Sequence, residues 1–352
     1  MTPPTERAMA AALTRDGTAP RRIDDLFGWR VIHRLGPLRV LRWTAAFYLL
    51  AHIARIALFD APYLLDPAQP GTDISTYYAA GQRLRDGHPL YALGPTDYPV
   101  PLHPPYTTVP LLSPPLMAVV WRPIATVLPP DVGMHLWFVV TATVFVGTLL
   151  WLIATGNALR VGAIVVLSPA LALSALSGNI NTLLGPLLVA AWFVVPRRPS
   201  VAGAAIALAA GLKLTPICLA WWLVVRRSRA GLVGLVVASG ILLAVSVLGA
   251  GWESHLVYLD VVRYTATEGM SAWSLPAFLA SAGLPPPFPQ LSPLGVAVIA
   301  AFAAWLLRGR PALAWAVCGI AVVWASAVVH LVALALLLPA LAPFHSTRGA
   351  TR

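Results

Sequence analysis

Apolar runs of about 20 residues, the length that crosses the hydrocarbon core of a bilayer as a helix, recur along this chain from Val40 onward and leave few alternatives for its fold. Backbone groups in lipid must bond within their own segment, and the runs lack the period-2 alternation of a barrel strand, so they are helices. Composition agrees: 58% of the 352 residues are hydrophobic, 11% are charged, and mean hydropathy is +0.76. The fold class expected is an all-α polytopic membrane protein; a soluble domain is excluded. Cys218 and Cys318 both fall inside apolar runs, where a buried small hydrophobe is a better reading than a disulfide or a metal site.

Where the charges fall says more than their sum of +11. Residues 1–37, rich in Arg, Pro and Thr, read as a cytosolic tail with an interfacial helix around Ile23 to Leu35. Arginines (Arg21, Arg22, Arg30, Arg34, Arg39, Arg42) crowd the near side of a first span at roughly 39–59. Cytoplasmic loops carry the excess of Lys and Arg, which places the N-terminus inside. Arg160, Arg197 with Arg198, Arg226 with Arg227 and Arg229, and Arg308 with Arg310 mark four further cytoplasmic turns. Spans near 134–154, 158–176, 180–196, 230–250 and 292–307 satisfy all of them if Pro110 to Leu128, with its prolines and Arg122, forms re-entrant or surface-lying helices.

Two apolar stretches must each leave and return. The first breaks near Lys213-Leu214-Thr215-Pro216 and the second, within 311–344, near His330. The expectation is about ten crossings with both termini inside: a transmembrane domain over 38–344, outer loops over 60–133 and 251–291, and a cytosolic tail over 345–352. Basic residues alone set this topology, yet it puts all nine acids beyond the N-terminal tail on the outer side.

Polar chemistry collects between Thr72 and Tyr106, which gathers Asp73, Asp86, Asp97, Arg83, Arg85, His88, His103 and five tyrosines. Three helix junctions, at Gly178-Asn179, Lys213 and His330, are expected to converge with the outer loops on one cavity. Lys213 is the only lysine among 24 basic residues. An ionisable residue at membrane depth marks a functional site by default, and a broken helix beside it offers backbone donors suited to an anion such as phosphate. The competing reading is a lysine snorkelling to the interface. For Asn179 and Asn181 it is interhelical hydrogen bonding, and for His330 a packed histidine. The sequence holds no Walker A, no dinucleotide fingerprint, no HExxH and no cysteine–histidine metal spacing. Basic residues interleaved with aromatics occur only in the inner loops, so a nucleic-acid partner is not expected.

Several motifs then fall in a telling order. D-x-x-x-Y-Y-A-A-G-x-x-L-x-x-G-x-P-L-Y runs from Asp73 to Tyr91, followed by Tyr98, H-P-P-Y from His103 and P-L-x-x-V from Pro115 to Val119. G-N-x-N-x-L-L follows from Gly178 to Leu184, then Ala202-Gly203 leading to L-K-x-x-P from Leu212 to Pro216. Together, over most of Asp60 to Arg229, the chain resembles glycosyltransferase family 87, GT-C-fold enzymes using polyprenyl phosphate sugars and best known from mycobacteria and related actinobacteria. Of the family's Asn-Gln-Ser-Leu-like motif SAWSLPAF keeps Ser274-Leu275, and of its late Ser-Pro and histidine motif His330 remains.

The resemblance implies a GT-C-type helix bundle that moves mannose or arabinofuranose from a polyprenyl phosphate donor to a glycolipid or polysaccharide on the outer face of the plasma membrane, in cell-envelope biosynthesis. Asp73 matches the family's catalytic aspartate and would take the acceptor's proton. Lys213, with Arg83 or Arg85, would stabilise the departing phosphate; His330, Asn179 and Asn181 would bind phosphate or sugar. Tyr77, Tyr78, Tyr91, Tyr98 and His103 would meet the acceptor or shape the loop. No cofactor beyond the donor lipid and no metal is expected. Each assignment has a plainer rival: aspartate also caps helices, arginines also bind lipid headgroups, tyrosines pack loops, and a histidine before two prolines anchors a turn. Two other classes stay open: a transporter of a lipid-linked sugar or anionic lipid with Lys213 as its site, and an inactive, family-derived assembly protein.

Overall fold

The computed structural model describes residues 36–59, 73–91, 111–267 and 273–346. The expected helix at Ile23 to Leu35, and Tyr98 and His103, lie outside the described residues. Among the described residues there is no strand; one isolated antiparallel bridge joins Gly156 to His345. The chain divides into two units after Thr44. Of the first, the described part is the opening of helix α1 (Pro37–Phe59); the second, Ala45–Arg352, carries everything that follows.

Prolines open many of the helices. α1, α3 (Pro115–Val127), α4 (Pro130–Thr155), α7 (Pro199–Leu212) and α12 (Pro311–Trp324) all start on proline, whose missing N–H has no partner to lose in a first turn. α2 (Asp73–Arg85) precedes α3, and where short re-entrant or surface-lying helices were expected over 110–128 the chain forms the single helix α3, which carries Pro123 within it. α5 (Ala158–Ser177) and α6 (Asn181–Val194) follow. After α7 the chain breaks: Lys213 is extended (φ −157, ψ 122), Thr215–Leu219 form a 3-10 turn, and α8 (Ala220–Val225) completes the return. α9 (Arg229–Thr267) precedes α10 (Leu275–Ser281) and α11 (Phe288–Leu306). Past α12, His330 opens a second 3-10 turn, Leu331–Leu337, leading to α13 (Leu338–Leu341).

Among the described residues four helices are long and apolar enough to cross a membrane: α4, α5, α9 over Arg229–Arg263, and α11. α1 has the length, but Arg39, Arg42 and Arg55 lower its hydropathy, and it is not among the four. The other expected crossings correspond to shorter apolar helices of 10–17 residues. α9 breaks at Gly251 (φ +78), where a loop was expected to begin, but the chain stays helical to Thr267. Tyr258 and Val261, three apart on one helical face, are both buried, and Tyr258 stacks on Tyr91 at 5.8 Å.

Side chains on the outside of the bundle are apolar: Val236, Ile241 and Leu248 on α9, and Leu294, Val298 and Phe302 on α11, are exposed. A surface this apolar belongs against lipid. Inside, Trp192, Trp222 and Trp315 meet with ring centroids 5.2–5.9 Å apart, and the Trp222 and Trp315 indoles donate to the carbonyls of Pro311 and Pro339. Cys218 and Cys318 are buried free thiols.

The connections rich in arginine gather at one end. Arg226 reaches the carbonyl of Arg308 at 3.5 Å. Arg160 is fully buried, donating to the Ala342 carbonyl at 3.0 Å and to Thr155 Oγ1 at 2.7 Å. The Ser346 N–H closes the same corner on the Thr155 carbonyl.

Candidate active site

The opposite ends of these helices hold the polar residues. α2 lies on α3 through Gly81, where a Cβ would come within 2.7 Å of the Trp121 carbonyl, and through Tyr77 and Tyr78 around the Trp121 ring. That docking fixes the N-terminal turn of α2 and so Asp73. Across from it, Gly178 ends α5 in the left-handed conformation (φ +61), and the Trp137 indole holds its carbonyl at 2.8 Å. A Cβ on Gly178 would overlap the Ile74 side chain, so α2 and the α5–α6 junction are in direct contact. Gly178→Ala is expected to destabilise the protein by roughly 2 kcal/mol or more, from the backbone penalty and the clash together. Gly147→Ala, inside α4 where a Cβ meets nothing within 4 Å, is the control and is expected to be at least as stable as the unsubstituted protein; melting of both variants in detergent checks it.

From Asp73 a continuous hydrogen-bonded chain crosses to Lys213. The Asn179 side-chain amide donates to Asp73 Oδ2 at 2.8 Å, and the Asn181 backbone N–H donates to Asn179 Oδ1 at 2.8 Å. Lys213 Nζ donates to Asn181 Oδ1 at 3.2 Å. Asn181 Nδ2 donates to the carbonyl of Val332, two residues past His330, at 3.3 Å. All three breaks thus meet at Asn181.

Burial pushes the Asp73 carboxyl above its ordinary value, against the opposing pull of the Asn179 amide, the Lys213 ammonium and His330. A carboxylate so placed is a stronger base than one in water and lies within the field of Lys213 and His330. Such a group can take a proton from a hydroxyl while those side chains steady an anion that forms beside it.

The arginines do not reach this place. Arg83 lies ten residues along α2 from Asp73, about 15 Å, and its Nε donates to the Pro89 carbonyl at 2.9 Å. Arg85 pairs with Asp86 at 2.7 Å and donates to the Ala125 carbonyl. Tyr78 donates to the Leu128 carbonyl and Tyr91 to that of Ser113, both away from Asp73, whereas Tyr77 receives the Ile180 N–H at 3.4 Å. Ser274 caps α10, accepting from the Ala277 N–H.

Three supporting groups went unread in the sequence. Ser177 Oγ accepts from the Asn179 N–H, Ser174 Oγ donates to the Val332 carbonyl at 3.2 Å, and Trp137 holds Gly178. The signal for the serines was their place in the run LSALSGNIN, one turn and one residue ahead of the glycine.

No curated protein and no solved structure matches the chain. The profile of glycosyltransferase family 87 matches residues 112–329, a span that includes Asn179, Asn181 and Lys213, begins after the helix of Asp73 and ends one residue before His330. Matched over more than half its length, this chain of apolar helices belongs to glycosyltransferase family 87.

Proposed function

We propose that this protein transfers a sugar, mannose or arabinofuranose, from a polyprenyl phosphate donor to a hydroxyl of a glycolipid or polysaccharide at the extracytoplasmic face of the plasma membrane. Asp73 is the general base. The hydroxyl proton passes to its carboxylate and on to solvent, the new bond forms at the sugar's anomeric carbon, and the bond from that carbon to the phosphate breaks. Its electron pair stays on the phosphate oxygen. The donor phosphodiester carries one negative charge and the released phosphomonoester gains a second, which Lys213 and His330 stabilise. The observation that carries this reading is the chain from Asp73 through Asn179 and Asn181 to Lys213 within a family of glycosyltransferases.

The helix lengths support a recessed site in a GT-C-type bundle of about ten crossings. α6 and α7 have 14 residues each and rise about 21 Å, against about 30 Å for the hydrocarbon core. With the Arg197–Arg198 turn at the inner boundary, Asn181 and Lys213 lie below the outer one, where reduced water strengthens every charge interaction.

The test is transfer by the purified protein in nanodiscs, with radiolabelled polyprenyl phosphate mannose or arabinofuranose and a membrane lipid extract as acceptor. Labelled lipid or polysaccharide is the expected result. Donor binding without product, together with movement of donor across the bilayer, would support the transporter that a broken helix at Lys213 also suits. The topology has its own check: with Cys218 and Cys318 replaced, Lys213→Cys is expected to react with a membrane-impermeant thiol reagent added outside. Protection equal to that of a cysteine at Arg226 would overturn it.

A further inference from the structure

We propose that Asn179 and Asn181 are positioning residues that hold Asp73 and Lys213 apart, leaving the carboxylate an oxygen for the acceptor hydroxyl and the ammonium free to face the departing phosphate. This rests on the transfer reading above, and it gives the two asparagines a different task from binding donor phosphate or sugar.

Burial is the first reason. Asn179 is 8% exposed and Asn181 1%, which leaves no face for a sugar. The second is that both amides are fully specified by their partners. Asn179 Oδ1 accepts a backbone N–H, which can only donate, so its Nδ2 must be the atom that meets Asp73. Asn181 Nδ2 meets a carbonyl, which can only accept, so its Oδ1 must face Lys213. Neither amide can flip without losing two hydrogen bonds.

The third reason is direction. Lys213, the Asn181 N–H and the Asn179 amide each donate toward Asp73, so every link points from the cation to the carboxylate. A bridge of this kind transmits position but moves no proton. Without it, a half-buried carboxylate and a half-buried ammonium that already attract each other would close to a direct ion pair. Direct pairing would lower the basicity of Asp73 and occupy Lys213, removing both from the reaction at once. Among the described residues Asn179 is the hydrogen-bond partner of the carboxylate and takes Oδ2, which leaves Oδ1 to the acceptor.

Among the described residues the groups whose charge acts on or with Asp73 are Lys213 and His330 from the two other breaks and Tyr77 from its own helix. Two near-isosteric changes then move the same titration in opposite directions. Asn179→Leu leaves Lys213 held by Asn181 and deletes a donor to the charged form, so the acid limb of the transfer profile moves up by about one pH unit, roughly tenfold in rate on that limb. Asn181→Leu keeps the backbone N–H on Asn179 but frees Lys213 to approach Asp73, so the limb moves down while the plateau rate falls. Asn181→Thr, polar but too short to reach Lys213, is expected to repeat the downward shift and covers the case in which the leucine variant fails to fold.

The same shifts are read without catalysis, by infrared difference titration of the carboxyl band that disappears in Asp73→Asn. This separates the two proposals: a protein that transfers nothing but shows opposite carboxyl shifts keeps the bridge and loses the reaction. In a Lys213→Met background Asn181→Thr should produce no downward shift, since no cation remains to be released. Shifts in the same direction for both asparagines, or a downward shift that survives the loss of Lys213, overturn the proposal.

Discussion

Asp73→Asn is expected to reduce transfer by about three orders of magnitude, in the range that a positioned general base supplies, with folding intact. Asparagine copies the shape of aspartate and still offers an oxygen to the Asn179 amide, so the contact made at 2.8 Å is kept. What it lacks is basicity. Because burial raises the Asp73 carboxyl, the acid limb of the wild-type rate profile should lie above the ordinary carboxylate range. The same displacement has a stability sign. A carboxyl harder to ionise when folded than when unfolded favours the folded state fully at low pH, and that advantage is lost as pH rises through the folded value. Asp73→Asn removes the dependence, so the variant should melt no lower than wild type at neutral pH and gain relative to it as pH rises through the window above 3.8. Rates and melting curves across pH check both halves; a variant that retains a tenth of wild-type transfer would remove Asp73 from the base role.

Much of the architecture was legible because charge and proline leave few ways to fold an apolar chain. The break at Lys213 follows from two basic turns, near Arg198 and Arg226, separated by too few residues for two full crossings, and the structure interrupts the helix there. Gly178 ahead of two asparagines marks a junction, and its left-handed backbone ends α5 at that point. Partners were not legible. Arg160 reads as one more cytoplasmic charge, yet its guanidinium is buried against a carbonyl 182 residues away. Asn179 and Asn181 read as ligands or as generic interhelical glue, and only their partners show that Asn181 ties three breaks together. Arg83 and Arg85 share a polar stretch with Asp73 in sequence, but α2 carries them about three turns away. Past Gly251 α9 continues with Tyr258 stacked on Tyr91, a contact between residues far apart in the chain that no local pattern announces.

Lys213→Met is expected to lower transfer by roughly 100-fold or more, the scale for losing one preorganised group at a developing charge. The donor phosphate gains its second negative charge only as the bond to the sugar breaks, so a cation beside it stabilises the transition state more than the bound donor. The loss should therefore fall on kcat more than on the affinity for donor. Methionine keeps the length and apolar body of the lysine, and Asn181 retains its bond to the Val332 carbonyl, so the three breaks should stay in register. Removing the ammonium also takes away one of the influences that hold the Asp73 carboxyl down, so the acid limb of the residual activity should move up. A lysine that merely snorkels would produce neither effect. Unchanged kcat with weakened donor binding would assign Lys213 to holding the ground state, and would leave the leaving-group charge to His330.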